Sequence, residues 1–186
     1  MTTPSTITRP TLTITEKMSS KEQLAVFPGT FDPLTLGHFD IIKRACRIFD
    51  KVIVAVAASP SKNPLLTLEQ RVELAKEACS GCGNVEVTGF CGMLVDFLRE
   101  RSASILVRGV RTVADYDYEV QLAGMYRALM PQMEIVMLPT SGDLCFISST
   151  LVRDVITHDG DISKFVPAAI SEYVAARPHF WQRGQK

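Results

Sequence analysis

The sequence predicts an α/β protein built on a five-stranded parallel sheet with helices on both faces. Apolar, β-branched runs alternate with helix-spaced segments five times along the chain. The run from Lys51 to Ala57, Lys-Val-Ile-Val-Ala-Val-Ala, is apolar at nearly every position, as a strand buried on both faces must be. Glycine, hydroxyl and basic residues gather where these runs end, the place in an open parallel sheet where ligands bind. Right-handed crossovers then favour the strand order 3-2-1-4-5.

Residues 1–23 are rich in Thr and Ser, contain Pro4 and Pro10 and show no period, so they read as a disordered N-terminal extension, with Met18 as an alternative start. The folded domain spans 24–177. Its first strand, Leu24-Ala25-Val26-Phe27, ends at Pro28-Gly29. Gly37 to Phe49 is the first crossover helix, with Phe39, Ile41, Ile42, Ala45, Cys46, Ile48 and Phe49 inward and Lys43, Arg44 and Arg47 outward. After the second strand, Lys51–Ala57, Pro60 and Pro64 stiffen a loop that leaves Lys62 at the sheet's carboxyl edge. Thr67 and Gln70 form a capping box for a helix from Leu68 to about Ala78. Val85–Thr88 is the third strand, Gly89–Gly92 a turn, Met93–Arg101 a helix, and Ile105–Val107 the fourth strand, ending at Arg108-Gly-Val-Arg111. Asp115–Met130 is a long helix whose broad apolar face includes Tyr116, Val120, Leu122, Tyr126 and Leu129, stopped by Pro131. Glu134–Leu138 is the fifth strand. A loop from Pro139 to Ile147 reaches the N-cap cluster Ser148-Ser149-Thr150, which opens a helix through about Ile156; Pro167 starts a last helix ending near Arg177, and 178–186 is a loose tail.

At 186 residues the chain fits one domain with tails. Lys+Arg and Asp+Glu are 20 each, so nothing in the overall charge points to nucleic acid, and any anion-binding surface must be local. No apolar run approaches the ~20 residues of a membrane span, and the first residues lack the basic start and apolar core of a secretory signal, which together predict a cytosolic protein with no membrane partner. Five cysteines, an odd number, sit in core-forming segments and read as reduced spectator thiols. Cys79-Ser-Gly-Cys82 lacks the second pair or nearby histidines that zinc would need.

In the order 3-2-1-4-5, strands 1 and 4 are neighbours and the crevice between their carboxyl ends is the topological switch point. Thr30, His38, Arg108 and Arg111 converge there, with Lys62 and Ser148–Thr150 arriving from adjoining edges. The loop after the first strand adds Asp32 and Thr35, and the first amides of the following helix are expected to be unpaired. His38, in the first turn of that helix, can reach an anion or serve only as a cap; Gly37 lets a ligand approach closely. Asp32 and Glu119 lack a metal-type carboxylate cluster and are not expected to be metal ligands. There is no Gly-x-x-x-x-Gly-Lys-Ser/Thr loop, no Gly-x-Gly-x-x-Gly after a strand and no Gly-x-Ser-x-Gly elbow. Cations, amides and one imidazole around a crevice suit direct displacement at phosphorus, where catalysis is positioning plus charge stabilisation.

Pro28-Gly-Thr-Phe-Asp-Pro with Thr35-Leu-Gly-His38, Ala58-Ser-Pro-Ser-Lys62, Arg108-Gly-Val-Arg111, Asp117-Tyr-Glu119 and Phe146-Ile-Ser-Ser-Thr150 together resemble the bacterial phosphopantetheine adenylyltransferases, over residues 24 to 176. The Gly-His element alone indicates only the nucleotidylyltransferase superfamily; the later motifs, in order and at matching spacing, carry the narrower resemblance. It implies a Rossmann-like doubly wound fold and transfer of AMP from ATP to 4′-phosphopantetheine, giving dephospho-CoA and pyrophosphate, with Mg²⁺ held by the ATP phosphates and by no protein ligand. By the same resemblance Thr30, Lys62, Leu94 and Arg108 would contact phosphopantetheine. Thr30, Phe31, His38, Gly109, Val110, Arg111, Glu119 and the run Leu144, Cys145, Phe146, Ile147, Ser148, Ser149, Thr150 would bind ATP. His38 would stabilise the transition state, aided by Lys62 and Arg111. A homohexamer and CoA as a feedback ligand are further implications. Leu36 and Thr150 depart from residues common in the family, without loss of a charged group.

Overall fold

The computed structural model describes residues 22–177. The Met18 start, the 178–186 tail and all of the expected N-terminal extension except Glu22 and Gln23 lie outside the described residues. Gln23 is already tied to the domain: its amide donates to Asp50 Oδ2 at 2.8 Å and its carbonyl accepts from the Lys51 amide at 3.3 Å.

Strands β1 (Leu24–Gly29), β2 (Lys51–Ala57), β3 (Val85–Phe90), β4 (Ile105–Val110) and β5 (Glu134–Pro139) form one parallel sheet in the order β3-β2-β1-β4-β5, as expected. Because successive side chains point to opposite faces, each central strand feeds two cores. Ala25, Phe27, Val52, Val54, Val56 and Val107 belong to one, and Val26, Ile53, Ala55 and Leu106 to the other. The first core is closed by α1 (Leu36–Ile48), α2 (Leu68–Cys79), α5 (Ser149–Thr157) and α6 (Ala168–Ala175) through Ile41, Ile42, Leu74, Ala75, Val152, Ile156 and Ile170. The second is closed by α3 (Leu94–Glu100) and the end of α4 (Val113–Leu129), through Val95, Phe97, Leu98, Tyr126, Met130 and Met133.

The chain steps outward from β1 to β3 through α1 and α2 on one face, then returns through α3 to lay down β4 on the far side of β1. That reversal is where the sheet opens. β1 pairs with β2 along all of its length, Leu24 to Gly29, but with β4 only at Ala25–Ile105 and Val26–Leu106. Both strands run on, so their carboxyl ends diverge.

Several expected boundaries move, each for a physical reason. The turn expected at Gly89–Gly92 begins only after Phe90: Gly89 stays in β3, paired with Val56, and a Cβ there would sit 3.2–3.3 Å from Val72 and Leu68 of α2. This glycine serves close helix–strand packing. Arg108 to Val110 likewise continue β4, where they pair with Met137 to Pro139, and β1 retains Pro28 and Gly29. Helix α4 starts two residues early because Thr112 caps it, its hydroxyl accepting from the Asp115 amide at 3.1 Å. Its broad apolar face is only partly covered within the domain. Tyr116, Val120 and Leu129 are exposed, and Glu119 is the buried residue of the helix, because α4 lies along the crevice and not flat on the sheet.

Leu98 is fully buried against Ile53, Leu106 and Met133 in the smaller core. Leu98→Ala should cost about 2–5 kcal/mol, by transfer plus cavity terms, with the m-value unchanged in urea unfolding.

Candidate active site

A crevice of about 980 Å³ occupies the divergence of β1 and β4. Of the residues expected there, Thr30, Phe31, His38, Lys62, Leu94, Arg108, Gly109, Arg111, Glu119, Ile147, Ser148, Ser149 and Thr150 line it. Val110, Leu144, Cys145 and Phe146 do not. Val110 closes the β4 ladder, Phe146 is 64% exposed, and the Cys145 thiol donates to the Thr140 and Ser141 carbonyls at 3.5 Å. Leu144 reaches the site only through its backbone, its carbonyl oxygen lying 3.6 Å from where a Gly37 Cβ would stand.

His38 both caps and faces the crevice. It is the third residue of α1, and it closes a capping box with Thr35: the Thr35 amide donates to His38 Nδ1 at 3.1 Å, and the His38 amide donates to Thr35 Oγ1 at 3.4 Å. An N–H donating to Nδ1 makes that nitrogen an acceptor, so the neutral ring carries its proton on Nε2. Burial, then the charges of Arg111 and Arg108, lower the pKa of His38 to about 4. The ring is therefore a neutral Nε2–H donor at physiological pH. Phe31 packs edge-on against it at 5.1 Å between ring centroids, and Gly29 makes room for Phe31, whose ring atoms would lie 2.7–3.0 Å from a Cβ at that position. The amides of α1 are less open than expected, since Leu36 donates to Phe165 and His38 to Thr35; among the described residues the Gly37 amide is the one left over in that turn.

The cations are held in different ways. Arg108 gives Nε and Nη2 to the two oxygens of Glu119, a bidentate pair with Nε–Oε2 at 2.7 Å, and Nη1 reaches the Pro28 carbonyl at 3.4 Å. That last bond crosses the gap where the β1–β4 ladder has stopped. One donor on Nη1 and one on Nη2 remain for a ligand. Glu119, expected at ATP, is committed to Arg108. Arg111 is held by Asp115 through Nε at 3.1 Å and by the Ile147 carbonyl at 3.3 Å. Burial would raise the Asp115 carboxyl, but its bonds to Arg111 more than offset this and keep it below the usual range. Lys62 ends an exposed 3₁₀ turn, Pro60–Lys62, and has no ion-pair partner among the described residues. Two cations are preset, and the third is free to swing.

On the opposite edge Ser148 caps α5 by accepting from the Leu151 amide at 3.2 Å, and the Ser149 hydroxyl donates to the Pro33 carbonyl at 2.9 Å. The backbone amides of Ser149 and Thr150 thereby face the crevice at a helix start, suited to anionic oxygens.

Three residues have supporting roles that the motifs do not spell out. Asp32, 1% exposed at the crevice lining, accepts from the Leu65 and Leu66 amides at 2.7 and 2.9 Å and from Arg153 Nη1 at 3.0 Å, so the carboxylate expected in this loop is tied up in structural bonds. Ser59 meets the Thr30 hydroxyl at 3.1 Å. Arg71 is buried on the core face of α2, three and four residues before Leu74 and Ala75; a basic residue at a core position of an amphipathic helix is the signal that could have flagged it.

A doubly wound sheet whose switch point holds a helix-start histidine, arginines and a serine-threonine helix start defines a nucleotidyl-transferring class of α/β protein. The cytidylyltransferase-like family model matches residues 26–155. A Vibrio parahaemolyticus protein described as a candidate nicotinate-nucleotide adenylyltransferase superposes with a TM-score of 0.64 at 20% identity, covering 84% of this chain and 93% of that one, a likeness of fold. Phosphopantetheine adenylyltransferase of Tolumonas auensis is 55% identical over 155 residues, 83% of this chain and 94% of that protein. Its counterpart from Thioalkalivibrio sulfidiphilus is 51% identical over 154 residues, 83% and 97% respectively. The chain belongs to the phosphopantetheine adenylyltransferase family.

Two outcomes test the state of His38. Nitrogen-15 NMR of the free protein should show a neutral ring protonated at Nε2 at pH 6.5, where an ordinary histidine is half charged. Because the folded pKa lies below the unfolded one, the unfolded chain binds more protons between about pH 6.5 and 4; stability is full above that window and falls through it, by up to about 3 kcal/mol. Urea titrations across this range should show a shallower fall in His38→Gln.

Proposed function

We propose that the protein transfers the adenylyl group of ATP to 4′-phosphopantetheine, giving dephospho-CoA and pyrophosphate. The observation that carries this reading is that His38 Nε2, Arg108 and Arg111 meet across one crevice, close enough for both arginines to lower the histidine pKa, in a chain of this family.

An acceptor phosphate oxygen attacks the α-phosphorus of ATP, the new O–P bond forms as the bond to the β-phosphate oxygen breaks, and pyrophosphate leaves with the electron pair. The acceptor is already ionised near neutral pH, so no general base is required. Arg108, with its two remaining donors, and Lys62 hold the acceptor phosphate beside Thr30, while Leu94 flanks its organic arm. Arg111 and the amides and hydroxyls of Ser148–Thr150 hold the triphosphate. His38 donates from Nε2 to an α-phosphate oxygen as charge builds there; a neutral donor with its other nitrogen fixed by Thr35 needs no reorientation. Mg²⁺ carried on the phosphate oxygens of ATP would neutralise charge on the leaving pyrophosphate.

Assembly as a homohexamer in the cytoplasm, with CoA as a competing ligand of the same crevice, completes the reading. The exposed apolar residues Val113, Tyr116, Val120 and Met125 on α4 support an interface, and no helix of the described residues is long and apolar enough to cross a membrane.

Purified protein with ATP, Mg²⁺ and 4′-phosphopantetheine should release pyrophosphate; release only with CTP, or only with another acceptor, contradicts the substrate assignment. His38→Ala should lower kcat by about 10²–10³, the scale of one transition-state donor, without loss of fold. Sedimentation equilibrium should give six times the chain mass of 20.5 kDa; a monomer at micromolar concentration would contradict the assembly.

A further inference from the structure

Arg71 is a buried cation that the mechanism above does not use. It is the largest fully buried side chain of the domain, 1% exposed, and it has no carboxylate in hydrogen-bonding contact. Its donors go to backbone carbonyls instead. Nε donates to Leu66 at 3.1 Å and Thr67 at 3.3 Å, Nη1 to Thr30 at 2.6 Å and Ala57 at 2.7 Å, and Nη2 to Ala58 at 3.1 Å. Those five carbonyls lie on three separate segments: the loop after β1, the end of β2 leading into the Ser59–Lys62 turn, and the start of α2. All three form one side of the crevice or its backing. A buried charge that is neither paired nor fully hydrogen-bonded is costly, so the segments are held at the spacing the planar guanidinium dictates.

We infer that Arg71 is a positioning residue for the acceptor side of the site, setting the Thr30 loop and the Lys62-bearing turn at the distance the acceptor phosphate requires. Asp32 reinforces this from the next layer, clamping Leu65 and Leu66 while binding Arg153. Among the described residues no hydrogen bond links Arg71 to Ser148–Thr150 on the ATP side, so its removal should act mainly on the acceptor. A lysine cannot reproduce this, since three donors on one nitrogen cannot serve five carbonyls spread around Nε, Nη1 and Nη2.

This rests on the reading of function given above, and the experiment separates the two. Pyrophosphate release is measured for wild type, Arg71→Lys and Arg71→Ala well below their unfolding temperatures, varying each substrate in turn. In Arg71→Lys the KM for 4′-phosphopantetheine should rise by about tenfold or more and that for ATP by less than about threefold. Added guanidinium ion at millimolar concentration should partly restore the acceptor KM of Arg71→Ala and leave wild type unchanged. An unchanged acceptor KM in Arg71→Lys, or equal rises for both substrates, overturns the inference while leaving the function standing. Loss of a cooperative unfolding transition in both variants also overturns it, because Arg71 would then be a requirement of the fold. A wild type inert with these substrates overturns both.

Discussion

The early divergence of β1 and β4 is the constraint on which the rest of the site depends. Two paired residues hold the strands together, and everything beyond Val26 and Leu106 is left without a ladder partner on that side. Backbone groups stripped of partners must be satisfied in some other way. Arg108 does this for the Pro28 carbonyl, and in doing so it lays a guanidinium across the floor of the crevice. Glu119 fixes the other edge of that guanidinium. Charge, hydrogen-bond satisfaction and the shape of the pocket therefore come from one topological event, the reversal of strand order.

His38 shows how one side chain serves local structure and chemistry together. Its Nδ1 is spent on the helix cap, which places the ring at the start of α1 and selects the tautomer. Its Nε2 is then the only position left for the proton, on the edge turned to the crevice. The arginines that would hold two anionic substrates also repel a proton from the ring. When phosphate groups enter, that repulsion is offset, so the ring is best able to donate, or to accept charge, only when the site is filled. Phe31 locks the ring plane and Gly29 admits Phe31, so two residues of the Pro-Gly-Thr-Phe stretch act through packing as much as through contact.

The sheet was legible because parallel strands buried on both faces leave long β-branched runs, and the start of α2 because the capping box at Thr67–Gln70 is local in sequence. Strand ends were less legible. Gly89 reads as a turn residue, yet it is required by the approach of α2, a tertiary fact with no local signature. Arg108 and Arg111 were found because they flank Gly109 at the end of a buried run, and Lys62 because its proline-stiffened loop follows the end of β2. Arg71, Arg153 and Asp32 were not recognised as its support, since their roles depend on carbonyls, amides and an ion pair 4 to 121 positions away in the chain. In helix α4 the broad apolar face was legible but the buried position was not: Tyr116 and Val120 stay exposed, and burial within the single chain goes to Glu119, which faces Arg108.

The central claim is that the crevice is a two-phosphate site with a neutral histidine aimed between the phosphates. A crystal structure of the protein with 4′-phosphopantetheine and a non-transferable ATP analogue tests this most directly. The account predicts His38 Nε2 about 3 Å from an α-phosphate oxygen, within hydrogen-bonding range, with Nδ1 still accepting from Thr35 and the acceptor phosphate bound by Lys62 and the free donors of Arg108. A ring turned away from the α-phosphate, or an acceptor phosphate bound outside the divergence of β1 and β4, would contradict it.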